Sequence, residues 1–111
     1  MRSIGCVIIC ILFFQNIKAQ NDRVNISLPD TTKKIEIVEV SCGQCQFHLP
    51  GKGCNLAVRI NKKAYFVDGT NIDDHGDAHA KEGFCNAIRK AAVQGKIVNH
   101  RYKVTYFKLI E

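Results

Sequence analysis

The chain has 111 residues, carries 16 Lys and Arg against 10 Asp and Glu for a formal charge of +6, and contains six cysteines. That length suits one small domain, near the lower limit at which a single core holds up unaided. The basic excess is spread along the chain without the clustered stripe that nucleic-acid binding needs, and no phosphate loop, Gly-x-Ser-x-Gly elbow or His-Glu-x-x-His pair is present, so a non-enzymatic binding or structural module is expected.

Met1 and Arg2 give a short basic start, residues 8–14 are apolar, and Ala19 is a small residue suited to cleavage. Residues 1–19 therefore read as a signal peptide, too short in its apolar stretch for a permanent membrane anchor. Cys6 and Cys10 would leave with it, and so would Arg2 and Lys18, which lowers the formal charge of the mature chain to +4. The expected location is outside the cytoplasm, in the periplasm or the extracellular space. Residues 20–34 are polar and aperiodic and read as a flexible leader, which leaves residues 35–111 as the single domain.

Ile35, Ile37 and Val40 mix with Glu36 and Glu39 in a β-branched run that ends at Ser41 and Cys42, the pattern of a strand. Pro50, Gly51 and Gly53 mark a loop. Residues 56–60 and 64–67 flank Asn61-Lys62-Lys63 as a hairpin, and residues 93–98 and 102–110 flank Asn99-His100 as a second. Between them an acidic turn leads into a helical spacing of Phe84, Cys85, Ile88 and Ala92, which predicts a helix from Asp77 or Ala78 to Ala92. The order strand, two-strand hairpin, helix, two-strand hairpin is that of an OB-like, five-stranded, partly open barrel, in an α+β class that is mostly β.

Several runs carry a resemblance: Cys42-Gly-Gln-Cys45-Gln-Phe47, Leu49-Pro-Gly-Lys-Gly-Cys54, Tyr65-Phe-Val-Asp-Gly69, Ile72-Asp-Asp-His75-Gly-Asp-Ala-His79, Gly83-Phe-Cys85 and Lys103-Val-Thr-Tyr-Phe107. Over about residues 36–110 the chain resembles a family of small exported bacterial proteins of unknown function. The resemblance implies that Cys42, Cys45, Cys54, Cys85, His75 and His79 belong to the family's pattern, while His48 stands where a glycine is expected. It implies no activity.

Three chemistries suit the cysteines. An even count in a small exported domain points first to two structural disulfides, for which four cysteines allow three pairings and no cofactor is needed. The same residues, with His75 or His79 as substitutes, suit a tetrahedral zinc or copper site, although only one Cys-x-x-Cys pair is present. A thiol–disulfide redox role for Cys42-Gly-Gln-Cys45 needs a helix start to acidify the leading thiol, and the Pro/Gly-rich sequence that follows predicts none. Asn71, Asp73, His75, Asp77, His79 and Glu82, with Gly76 at the sixth position, partly echo a calcium loop, but the first position is not Asp, the fifth is His, and a strand rather than a helix precedes it. Cys85 and His79, six apart on one predicted helix, do not face each other as a nucleophile and base. The aromatic residues Tyr65, Phe66, Tyr102, Tyr106 and Phe107 fit cross-strand packing.

Overall fold

In a computed structural model, residues 26–110 are described. The predicted signal peptide lies outside them. Five strands make up the fold: β1 (Glu36–Cys42), β2 (Leu56–Ile60), β3 (Lys63–Asp68), β4 (Arg89–Val98) and β5 (Arg101–Leu109), with one short helix, α1 (Gly43–Gln46), and a 3-10 turn at Ile72–His75. The strands close into a barrel in the order β1-β2-β3-β5-β4. All neighbours are antiparallel except β3 and β5, which run parallel. The expected OB-like strand order is therefore present, and the sheet is closed.

Turn chemistry sets both hairpins. Asn61 and Lys62, and likewise Asn99 and His100, all have positive φ, the left-handed pair that a two-residue turn needs to match the twist of its flanking strands. Alternation then fills the interior with Val38, Val40, Val58, Val93, Tyr102 and Val104, all under 8 % exposed. On β5 the alternation breaks: Gln94 faces Tyr106 while Gly95 faces Val104, so Thr105 is an extra residue in the ladder. This bulge shifts the inward phase from Tyr102 and Val104 to Phe107 and Leu109.

The helix expected over residues 77–92 is not formed. Residues 78–86 are a chain of turns, and Arg89–Val93 instead pairs with Glu36–Val40 of β1. Those strand residues close the barrel. Left helical, they would strand the backbone N–H and C=O groups along that edge of β1, and this outweighs a modest helical spacing. Asp77, which reads in sequence as helix-start charge, accepts the His79 N–H in an Asx turn. Ile88, expected on a buried helix face, is 40 % exposed.

The leader, over its described part, is tied to the barrel. The buried Gln94 side chain donates to the carbonyls of Asp30 and Lys33 and accepts the Asp30 N–H, and Phe107 N–H donates to Ile26. Among the described residues no helix is long and apolar enough to cross a membrane.

A candidate four-cysteine metal centre

One end of the barrel is covered by the β1–β2 connection (residues 43–55) and the β3–β4 connection (residues 69–88), and the cysteines come together between them. Cys42 ends β1, Cys45 lies on α1, Cys54 precedes β2 and Cys85 stands in the turns before β4. Their four Sγ atoms all lie within 4.8 Å of one another. Cys42 and Cys54 are disulfide-bonded, with Cα atoms 5.4 Å apart, while Cys45 and Cys85 are free thiols. Cys54 Sγ also lies 2.9 Å from Cys85 Sγ. Of the two bridges expected from sequence, one is formed.

Backbone and amide contacts account for the convergence. Cys42 caps α1, its sulfur accepting the Cys45 N–H at 3.4 Å, so a helix start does follow Cys42 where the sequence predicts a loop. Gly43 N–H donates to Asn55 across the loop. A Cβ at Gly43 would stand 2.7 Å from the Phe66 ring and 3.1 Å from Ala57 Cβ, so only glycine lets the Cys-x-x-Cys turn lie this close to the barrel wall. Gln44 bonds to the Asn55 N–H, to the Asn55 side chain and to the Lys52 carbonyl, which fixes the Cys54 loop.

The Cys85 segment is held from three sides. Gln46 donates to the Cys85 carbonyl, Cys85 N–H donates to Ala78 and Cys42 N–H donates to Phe84. The fully buried Ser41 hydroxyl lies 2.7 Å from both the Phe84 and the Ala87 carbonyls. Ser41→Ala leaves the Ala87 carbonyl without that partner, and we expect it to lower stability by about 1–3 kcal/mol and to speed Cys85 alkylation. Denaturant midpoints and timed alkylation check both. At Gly83 a Cβ would collide with the carbonyls of Asp77 and Ala78, so the turn that presents Cys85 also requires glycine.

Burial grades the sulfurs. Cys42 is fully buried, Cys54 and Cys85 are half-buried, and Cys45 is exposed. Burial, and next the Cys45 thiol beside it, push the Cys85 thiol up from its ordinary range, with Asp77 and Asp73 adding to the effect. Thiolates this close disfavour one another's charge unless a cation lies between them. On the Cys54 side the cluster opens to a cleft of about 410 Å³ that is also lined by Asp68, Asp73, Asp74 and Arg101.

The two histidines do not join the sulfurs. His75 is half-buried, its ring 4.3 Å from that of Phe107 and edge-on to Phe84, with Nε2 3.0 Å from the Thr70 hydroxyl. Burial holds its pKa below the ordinary 6.5, against an opposing pull from Asp74. As pH falls, the unfolded chain therefore takes up the proton first. Stability attributable to a neutral His75 is fully present above about pH 6.5 and is lost as pH drops from there through the folded value. We expect His75→Phe to flatten the wild-type decline between pH 7 and 5, read from denaturant midpoints at each pH.

His79 is exposed. His48 is exposed too and has φ 61°, a backbone conformation that favours the glycine expected there. Asp74, which lies within the supposed calcium loop but is not one of its expected ligands, accepts the Asn71 N–H and the Thr70 hydroxyl. Among the described residues the four cysteines are the one grouping of three or more His, Cys, Asp or Glu whose ligand atoms lie close enough together to hold a single metal ion.

A family model described as a family of unknown function, DUF6370, matches residues 36–110. The chain belongs to this family. The match spans the whole barrel and all four clustered cysteines, and it stops short of the leader. Comparison with curated proteins and with solved structures found no match. The family carries no assigned chemistry. Sequence reasoning found the four thiols and missed the residues that position them: Ser41, Gln44, Gln46 and Asn55. Gln44 and Gln46 flank Cys45, and Asn55 follows Cys54 directly; amides flanking cysteines are the signal available for finding them.

Proposed function

We propose that the protein is an exported soft-metal-binding module, holding zinc through Cys42, Cys45, Cys54 and Cys85 when these are reduced, and that it does not catalyse a reaction. The observation that carries this reading is the mutual approach of all four sulfurs to within 4.8 Å. Two disulfides need each sulfur near one partner only. A tetrahedral zinc ion needs every sulfur near every other, with S···S separations of about 3.8 Å if each Zn–S bond is about 2.3 Å. Contributions from three separate segments, each held by its own hydrogen bonds, suit a tetrahedral ion better than a pair of staples. Copper(I), which also favours thiolates, is the competing ion. The signal-peptide reading and the Cys42–Cys54 bond together favour an oxidising compartment.

One observation favours a second reading. The Cys42–Cys54 bridge, with its sequence separation of 12, would stabilise by about 3 kcal/mol as a plain staple. The readings separate under native mass spectrometry of the reduced full chain after zinc addition. The metal reading expects one zinc per chain, four thiols protected from alkylation, and loss of the ion in Cys54→Ser. A reduced chain that takes up no zinc and simply reoxidises would refute it.

A further inference from the structure

Two facts about the four-cysteine centre are not explained by metal binding alone: two of its sulfurs are bonded to each other, and the sulfurs differ in how they meet solvent. The bonded pair is Cys42 with Cys54, rather than the Cys42-Gly-Gln-Cys45 pair that the sequence suggests for redox chemistry. Cys42 has no exposure, so a reagent in solution does not reach it directly. Cys54 is half-buried and lines the polar cleft. The pair therefore consists of one reachable and one sheltered sulfur, the arrangement of an attacking thiol and a resolving thiol.

Resting on the zinc reading above, we propose that this centre is a redox-gated zinc site, in which closure of the Cys42–Cys54 bond by a low-molecular-weight disulfide expels the ion. The step balances as two exchanges. Cys54 thiolate attacks one sulfur of the disulfide in the cleft, forming a mixed disulfide and releasing one thiolate. Cys42 thiolate then attacks Cys54 Sγ, forming the Cys42–Cys54 bond and releasing the second. Two electrons pass from the two cysteines to the reagent, whose two thiolates take protons from water, and zinc leaves with its charge unchanged. Cys45 and Cys85 remain as two thiols, half the ligands a zinc ion takes in a closed tetrahedral site. The reverse exchange, driven by an external dithiol, restores four thiolates.

The cleft also selects the reagent. Asp68, Asp73 and Asp74 line it against the single cation Arg101, and Arg101 is already paired with Asp68. A cationic disulfide is therefore concentrated beside Cys54 and an anionic one is repelled. Access through the exposed Cys45 would carry no such preference from this cleft.

The test uses the reduced full chain loaded with Zn²⁺ alone, with one bound zinc first verified by native mass spectrometry. Cystamine or dithiodipropionate is then added at low salt, while released zinc is followed with a chromogenic chelator and the new bridge is located by peptide mapping. The expected result is one zinc released for each Cys42–Cys54 bond formed, with cystamine several-fold faster and its advantage reduced in Asp73→Asn. Zinc retained after that bond closes, or a Cys45–Cys85 bond in its place, overturns the gate. Equal rates with the two reagents overturn the cleft route. Failure to load zinc at the outset refutes the metal reading itself, which keeps the two failures apart.

Discussion

Phe84→Ala is expected to cost about 3–5 kcal/mol of folding stability, the range for removing a large buried aromatic side chain. Phe84 is 1 % exposed and the largest fully buried side chain of the described residues. It belongs to the core cluster with Val40, Val58 and Val93 and meets the His75 ring edge-on. It also comes from the turn-rich β3–β4 connection, where no ladder of backbone bonds compensates for lost packing. Its carbonyl is the anchor used by Cys42 N–H and by the Ser41 hydroxyl. The substitution should therefore loosen the segment that presents Cys85 even where the barrel survives. Chemical denaturation gives the stability change, and the alkylation rate of Cys85 relative to Cys45 gives the local one. A loss under 1 kcal/mol would mean that the connection repacks freely and does not plug the barrel end.

Zinc itself should produce the second large effect. An ion that binds the folded chain and not the unfolded one adds about 4 kcal/mol when its free concentration is about 1,000 times Kd. The reduced protein should accordingly rise in melting temperature on zinc addition and fall back with a chelator, and Cys54→Ser should abolish the response. Without metal, the oxidised protein should lose about 3 kcal/mol on reduction, the contribution of a short-loop staple. The two sensitivities exchange between states: the zinc-loaded form responds to chelator, the bridged form to reductant. A reduced protein indifferent to zinc and chelator would leave only the staple.

The strands were largely legible in the sequence and the elements between them were not. Both hairpins follow from local chemistry, alternation on either side of Asn61-Lys62 and Asn99-His100 at positive φ, which a sequence displays directly. The segment 77–92 was misleading because its helical spacing is local whereas its fate is decided by a distant partner: Arg89–Val93 is needed opposite Glu36–Val40, and no pattern within the segment records that. The Thr105 bulge is hidden in the same way, in a register between two strands.

At the site, the cysteines and the glycines beside them could be read off, but the helix of four residues after Cys42 was obscured by Pro50, Gly51 and Gly53 further along the loop. Which thiols meet is a tertiary fact, and four cysteines allow three pairings. His75 illustrates the converse. It is conspicuous in a polar run, yet it packs against Phe107 and Phe84 because the 3-10 turn at Ile72–His75 points it inward.

The most direct test of the account is the coordination of zinc in the reduced, loaded protein, read by X-ray absorption at the zinc edge. Four sulfur neighbours at about 2.3 Å, with no nitrogen or oxygen in the shell, are the predicted result. A shell containing imidazole nitrogen or water oxygen, or fewer than four sulfurs, would contradict the four-cysteine centre and return the bridge between Cys42 and Cys54 to a purely structural role.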